Sequence, residues 1–367
     1  MRTRSPHLVT IAHTRLFSGA ERVLARYVEA ARERGWTVTG CAPPGPLTEL
    51  FRSERITTVA LPELKPGLGP RLPALVGLAG AELRASRLIR SAAAGADVVL
   101  VNGLMALPAT TLARLAAPVC WLVHDVVTRR DLRAVTTMSA RSIDAAIAPS
   151  AVAAQLPRRL GIRTEVVANG TPLPPLEPTE RSSMGSVVGL SGAITPWKGQ
   201  DVLLEAVAQL PDVTVELMGT AFPGDQSFAD ALRRRATASD LRGRVRFLGQ
   251  VDDPIAAMRR WTVAVSASVE PEAGSLALLE ALSLGLPVVA SDHGCAAEYV
   301  GTAGELVPPG DPTELAAAIH RLVENRDRAR CLGAEARQRV ETNFTLAHAQ
   351  QRFVGVINEL ADRVDRP

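Results

Sequence analysis

Short, almost unbroken apolar runs recur along the chain, and the stretches between them carry apolar residues at helical spacing. In the first half the runs are Leu8–His13, Thr37–Ala42, Ile56–Leu61, Asp97–Asn102, Val119–His124, Ala145–Pro149 and Glu165–Ala168. In the second half they are Ser186–Ile194, Val213–Gly219, Val245–Gly249, Val263–Ala267, Pro287–Ser291 and Glu305–Val307. Continuous rather than alternating runs predict strands buried on both faces, as in a parallel sheet. Helices fill the gaps, among them Gly19–Arg34, ending at Gly35 as a C-cap. Such β-α-β alternation predicts an α/β, doubly wound fold.

The alternation is interrupted once. Thr171–Thr179 reads TPLPPLEPT, and four prolines in nine residues fit neither a helix nor a central strand. The expectation is therefore two doubly wound domains, residues 1–171 and 180–344, joined by a Pro-rich linker over 172–179. A long helical region follows from about Thr345. Ligands of such sheets bind beyond the carboxyl ends of strands, and a cleft between two such domains is the expected site.

Composition agrees with this reading and narrows it. The 367 residues exceed what one core serves, which also favours two domains. Aromatics are only 4%, so the cores must be built from Ala, Val and Leu. A formal charge of +3, with no basic stripe interleaved with aromatics, argues against nucleic acid as a partner. No two of the four cysteines are spaced as a metal knuckle or a CxxC pair. Cys41 and Cys120 fall in strand runs and read as buried free thiols, so a reducing, cytoplasmic setting is expected. The apolar run Leu8–Ala12 is too short for a signal-peptide core, and no stretch reaches the roughly 18 apolar residues of a membrane span. Arg84, Arg87 and Arg90, and again Arg129, Arg130 and Arg133, form basic clusters. They read as solvated faces in preference to a peripheral membrane contact.

Three places concentrate candidate chemistry. The first is Gly192–Asp201, GAITPWKGQD, a strand-to-helix turn carrying Lys198, one of only two lysines in the chain with Lys65. An ammonium there, beside a helix N-terminus, can neutralise a diphosphate. The second is Glu270–Ala281. Its helix, Ser275–Leu284, is apolar nearly all round and hence buried. Buried Glu280 therefore needs a partner, either an internal ion pair or ligand hydroxyls such as those of a ribose. Ser275 reads as the N-cap, Leu276 adds a first-turn amide, and Glu272 lies in the loop before.

The third place is His124-Asp125, at the end of an apolar strand. A histidine there can bond a sugar hydroxyl or move a proton, or simply cap its loop. Gly19, at the start of the first helix, can let backbone approach a phosphate. Asp252-Asp253 reads as a loop cap in preference to a metal site, so no metal is expected. Neither a Walker A pattern nor a GxGxxG after a strand is present, against an ATPase or a nicotinamide dehydrogenase.

Together these segments resemble the GT-B glycosyltransferases, specifically the retaining family 4, over nearly the whole chain. Pro196–Ala206 is similar to the family's lysine loop, and Glu272 and Glu280 match its E-x7-E motif. Pro287–Ser291 and Leu306–Asp311 match later landmarks. Ser18–Arg22, His124-Asp125 and Asn169-Gly170 resemble first-domain ones.

The resemblance implies a nucleotide-diphosphate sugar as co-substrate, a UDP-sugar by preference, and an acceptor hydroxyl. It implies retention of configuration and no required cofactor. Lys198 and Gly19 would meet the diphosphate and Glu280 the ribose. Glu272 and His124 would lie at the transferred sugar, with Ser275 and Leu276 offering amides to phosphate. The last helix would pack back on the first domain. Two departures stand out: Ala193 replaces an arginine that shares the diphosphate with the lysine, and Gly274-Ser275 replaces Phe-Gly before the motif's helix. The first leaves open a non-catalytic or partner-dependent subunit; another nucleotide-sugar enzyme such as an epimerase is a separate alternative.

Overall fold

The structure, a computed structural model, describes residues 4–64, 71–176 and 185–364. Lys65 and residues 177–179 of the proline-rich stretch lie outside the described residues.

Two compact units are present. The first runs up to Ala168 and includes the chain from Ala349 onward; the second comprises Asn169–His348. In the first unit the strands are β1 (His7–Ala12), β2 (Thr37–Ala42), β3 (Thr57–Ala60), β4 (Val98–Asn102), β5 (Val119–Leu122), β6 (Ala145–Ala148) and β7 (Arg163–Val166). They form one parallel sheet in the order β3-β2-β1-β4-β5-β6-β7. In the second unit β8 (Ser186–Ser191), β9 (Val213–Met218), β10 (Val245–Gly249), β11 (Val263–Ser266), β12 (Val288–Ser291) and β13 (Glu305–Val307) form a parallel sheet in the order β10-β9-β8-β11-β12-β13.

The continuous apolar runs occupy the sheet interiors. All five residues of β4 and all four of β5 are buried. The second core is aliphatic, built on residues such as Val188, Leu190, Leu203, Leu217, Val263 and Ile319. Of the scarce aromatics, Trp261 and Tyr299 are buried in the same unit, and others hold the last helix. Tyr27 stacks on Phe353 at 4.4 Å, and Trp36 donates to Asn358 Oδ1 at 3.1 Å. Both contacts join the last helix, Leu346–Val364, to elements of the first unit.

Some strand ends differ from the sequence reading. β5 stops at Leu122, so His124 is a loop residue rather than the strand's last. The edge strand β7 lies earlier than read, because Arg163 and Thr164, polar but half-buried, pair with β6. Burial pushes the Cys41 and Cys120 thiols up to about 12, which keeps them protonated. Among the described residues no helix is long and apolar enough to cross a membrane.

Candidate functional site

Each strand order contains one place where neighbouring strands send their chains in opposite directions. It lies between β8 and β11 in the second unit and between β1 and β4 in the first. Crevices open there, outside the carboxyl ends of the strands.

In the second unit β8 leads into the 3₁₀ turn Pro196–Lys198 and then the helix Gln200–Ala208. β11 leads through Ala267 and Ser268 to Glu272. The two exits are joined where the Val269 amide donates to the Trp197 carbonyl at 2.8 Å. Lys198 Nζ then lies 2.6 Å from Glu272 Oε2, with only 14% and 12% of the two side chains exposed. The ammonium also stands 4.5 Å from the Trp197 ring centroid. Ser268 donates its hydroxyl to Glu272 Oε1. The Ser275 oxygen accepts from the Leu278 amide at 3.4 Å, capping the helix Leu276–Ser283, and its hydroxyl helps stabilise the same carboxylate. Burial pushes the Glu272 carboxyl upward, but Lys198 and the two serine hydroxyls outweigh it and hold the group below its ordinary value.

Lys198, Glu272 and Ser275 line one concavity with Ser266, Ser268 and Leu278. Leu276 and Glu280 are placed on the adjoining helix, where Glu280 is buried, but their side chains do not line that concavity. Around the Glu272 loop the backbone is tied from two sides. Asn169 Nδ2 donates to the Gly274 carbonyl at 3.2 Å, and the Cys295 amide to the Glu272 carbonyl at 2.9 Å. Ala193 contributes a backbone carbonyl that accepts from Gln200 Nε2 at 2.8 Å. Its methyl group leaves Lys198 as the loop's single cation.

Sequence reasoning missed Ser268 and also His293, both ring nitrogens of which are buried without a partner beside Ser291 and Glu272. Nothing in the pattern singles out a serine or a histidine just past a strand. Asp253 accepts from the Ala256 amide at 3.0 Å and caps the helix Pro254–Met258, where the sequence reads a loop cap.

In the first unit Asn102, the last residue of β4, pairs with Ala12 of β1 and Leu122 of β5. His124 Nε2 lies 2.7 Å from Asn102 Oδ1. Asn102 Nδ2 in turn donates to Glu21 Oε1 at 3.4 Å. Glu21 reaches back from the first turn of the helix Gly19–Glu33 to accept from the Ser18 amide and hydroxyl, at 2.9 and 2.6 Å. Gly19 opens that helix and is exposed. Burial, reinforced by nearby His13, pushes the His124 pKa down to about 3. A pKa lowered in this way favours the neutral ring, and with it hydrogen bonding over proton uptake. The basic clusters are partly engaged. Arg90 donates to the carbonyls of Leu112 and Ala113, Arg133 to that of Val127, and Arg129 pairs with Asp131.

The family described as Glycosyltransferase Family 4 matches residues 17–173, and that described as Glycosyl transferases group 1 matches 177–339. A phosphatidyl-myo-inositol mannosyltransferase of Mycobacterium leprae is 37% identical over 157 residues, 40% of this chain. The match spans only 40% of that relative's length. The lipopolysaccharide core biosynthesis mannosyltransferase LpcC of Rhizobium leguminosarum bv. viciae is 29% identical over 254 residues, 65% of this chain and 71% of its own. The crystal structure of Anabaena HepE in complex with UDP and glucose aligns with 97% of this chain and 100% of its own, at 25% identity and a TM-score of 0.83. The two families divide the chain where its two parallel sheets divide it: it belongs to the family 4, group 1 glycosyltransferases, and its units are the Rossmann-like halves of a GT-B fold.

Proposed function

We propose that the protein transfers a sugar from a nucleoside diphosphate to an acceptor hydroxyl with retention of configuration. The observation that carries this is the Lys198–Glu272 pair at the switch point of the second sheet. As a sugar's C1–O bond to phosphate breaks, negative charge grows on the diphosphate, and Lys198 is the cation at hand to stabilise it. The amides of Ser275 and Leu276, at the N-terminus of their helix, add donors for a phosphate oxygen. Glu280 serves the ribose hydroxyls and Glu272 the transferred sugar. The resemblance gives Gly19 and His124, in the first unit, roles toward diphosphate and sugar.

The bond from C1 to the acceptor oxygen forms on the face the phosphate leaves, and the acceptor's proton passes to a leaving phosphate oxygen. No enzymic nucleophile takes part. HepE, crystallised with UDP and glucose, supports a UDP-sugar donor. The names of the mannosyltransferase relatives favour a mannosyl donor as the second reading.

Release of nucleotide from UDP-glucose and GDP-mannose, measured over a panel of hydroxyl acceptors, tests the proposal, and the anomeric configuration of the product tests retention. Donor binding without turnover on any acceptor would overturn transfer in favour of the binding subunit that Ala193 suggests.

Glu280→Gln should raise the donor KM about tenfold or more, because hydrogen bonds to a charged acceptor are worth about 1.5–3 kcal/mol. Its kcat should move less. An unchanged KM in a folded variant removes Glu280 from the donor site.

A further inference from the structure

The hydrogen bonds around His124 fix more than its position. Glu21 and Asn102 are each only 1% exposed, so solvent does not stand in for a missing partner. As a carboxylate Glu21 only accepts, and its Oε2 already takes both the amide and the hydroxyl of Ser18. Its Oε1 faces the Asn102 side-chain amide. That amide must therefore turn its NH₂ toward Glu21, since the opposite orientation would set two acceptors face to face. Oδ1 is left for His124, and an amide oxygen only accepts. The proton of this 2.7 Å bond belongs to Nε2, and the lone pair of the neutral ring belongs to Nδ1.

We infer that Asn102, oriented by Glu21, is a positioning residue that holds His124 as its Nε2–H tautomer, so that Nδ1 meets a substrate hydroxyl as a hydrogen-bond acceptor. This rests on the reading of His124 as a substrate contact. Neither Asn102 nor Glu21 touches substrate. The register places Asn102 level with Ala12 and Leu122, the ends of the two strands that flank it, so one amide serves the crevice from its centre. His13, the residue after β1, and Asp125, the residue after His124, are the other titratable groups near the ring. A neutral His13 leaves the tautomer unaltered, since the Asn102 oxygen still requires a proton at Nε2.

Nuclear magnetic resonance of the donor-free protein, ¹⁵N-labelled at histidine, tests the tautomer without reference to activity. The His124 signals are assigned by their loss in His124→Leu. A bonded N–H at Nε2 is expected at neutral pH, protected from exchange in the wild type and lost to exchange in Asn102→Leu. Asn102→Asp combined with Glu21→Gln, which keeps an acceptor toward His124 and a donor toward position 102, should retain it. A bonded proton at Nδ1 in the wild type, or an Nε2 proton equally protected in Asn102→Leu, overturns the inference. Once His124 is assigned, the wild-type spectrum decides the tautomer, so an Asn102 variant that fails to fold does not shield it.

In turnover, Asn102→Leu should lower kcat about tenfold or more with donor KM within about twofold. His124→Gln, which can still accept, should keep more activity than His124→Leu. An Nε2–H ring together with undiminished transfer by His124→Leu would leave the relay standing and refute the substrate-contact reading.

Discussion

Replacing Lys198 by methionine is expected to lower kcat/KM by at least about a hundredfold, the usual cost of losing one preorganised group aimed at developing charge. The methionine keeps most of the apolar stem beside Trp197 and removes the charge. The substitution also strands Glu272. Its carboxylate, 12% exposed, keeps the hydroxyls of Ser268 and Ser275 but loses its counter-charge. Removing one partner of a buried ion pair costs about 3–5 kcal/mol, and the residual exposure here places the expected loss near the lower end.

The pH dependence separates the two effects. In the wild type the Glu272 pKa is lowered, so the pair contributes stability above the unfolded value of 4.5 and loses it as pH falls through the folded value. Without Lys198, burial dominates and the pKa rises, so the variant is penalised increasingly as pH climbs from that same value. The stability gap between the two proteins should be largest at neutral pH and shrink below about 4.5. Denaturant unfolding at several pH values measures it. Adding Glu272→Gln to Lys198→Met should recover much of the stability without restoring turnover. A double variant as unstable as the single one would show that the stranded charge is not the cause.

Much of the architecture was legible because parallel strands are buried on both faces. Each continuous apolar run read from the sequence overlaps an observed strand. Strand order was not legible, and the sites depend on it. Lys198 and Glu272 are 74 positions apart and meet because β8 and β11 are neighbours, an adjacency that periodicity does not encode. For the same reason the sequence singled out both residues but not their ion pair. Neither Ser268 nor Asn102 carries a mark of function in the sequence, since a single small polar residue at a strand end is ordinary until the partner across the crevice is known. His124 shows the complementary limit. The apolar pattern runs its strand two residues too long, and its position alone is compatible with a hydrogen bond or a proton transfer. Burial beside His13 favours the first.

Gly199→Ala should be among the most damaging single-methyl changes near the second-unit site. Gly199 has φ +67°, in the left-handed region, and ends the lysine turn as it begins the helix Gln200–Ala208. A Cβ there would fall 2.0 Å from the Ala267 carbonyl oxygen and 2.9 Å from its carbon. Both atoms are backbone, so no side-chain rotation relieves the clash, and the lysine turn and the exit of β11 must move apart. Lys198 precedes Gly199 and Ser268 follows Ala267, so the same movement pulls the ammonium and the serine hydroxyl away from Glu272.

The left-handed conformation alone costs an alanine about 1 kcal/mol, and the overlap should bring the total to roughly 3 kcal/mol or more. Gly249→Ala isolates the first part. Gly249 has nearly the same φ, +68°, with nothing within 4 Å of an added Cβ. The difference between the two variants in denaturant unfolding therefore measures the overlap itself. Turnover should fall steeply in Gly199→Ala and stay near wild type in Gly249→Ala. Equal losses of stability would mean that backbone conformation, rather than the close approach of the two strand exits, is what the glycine provides.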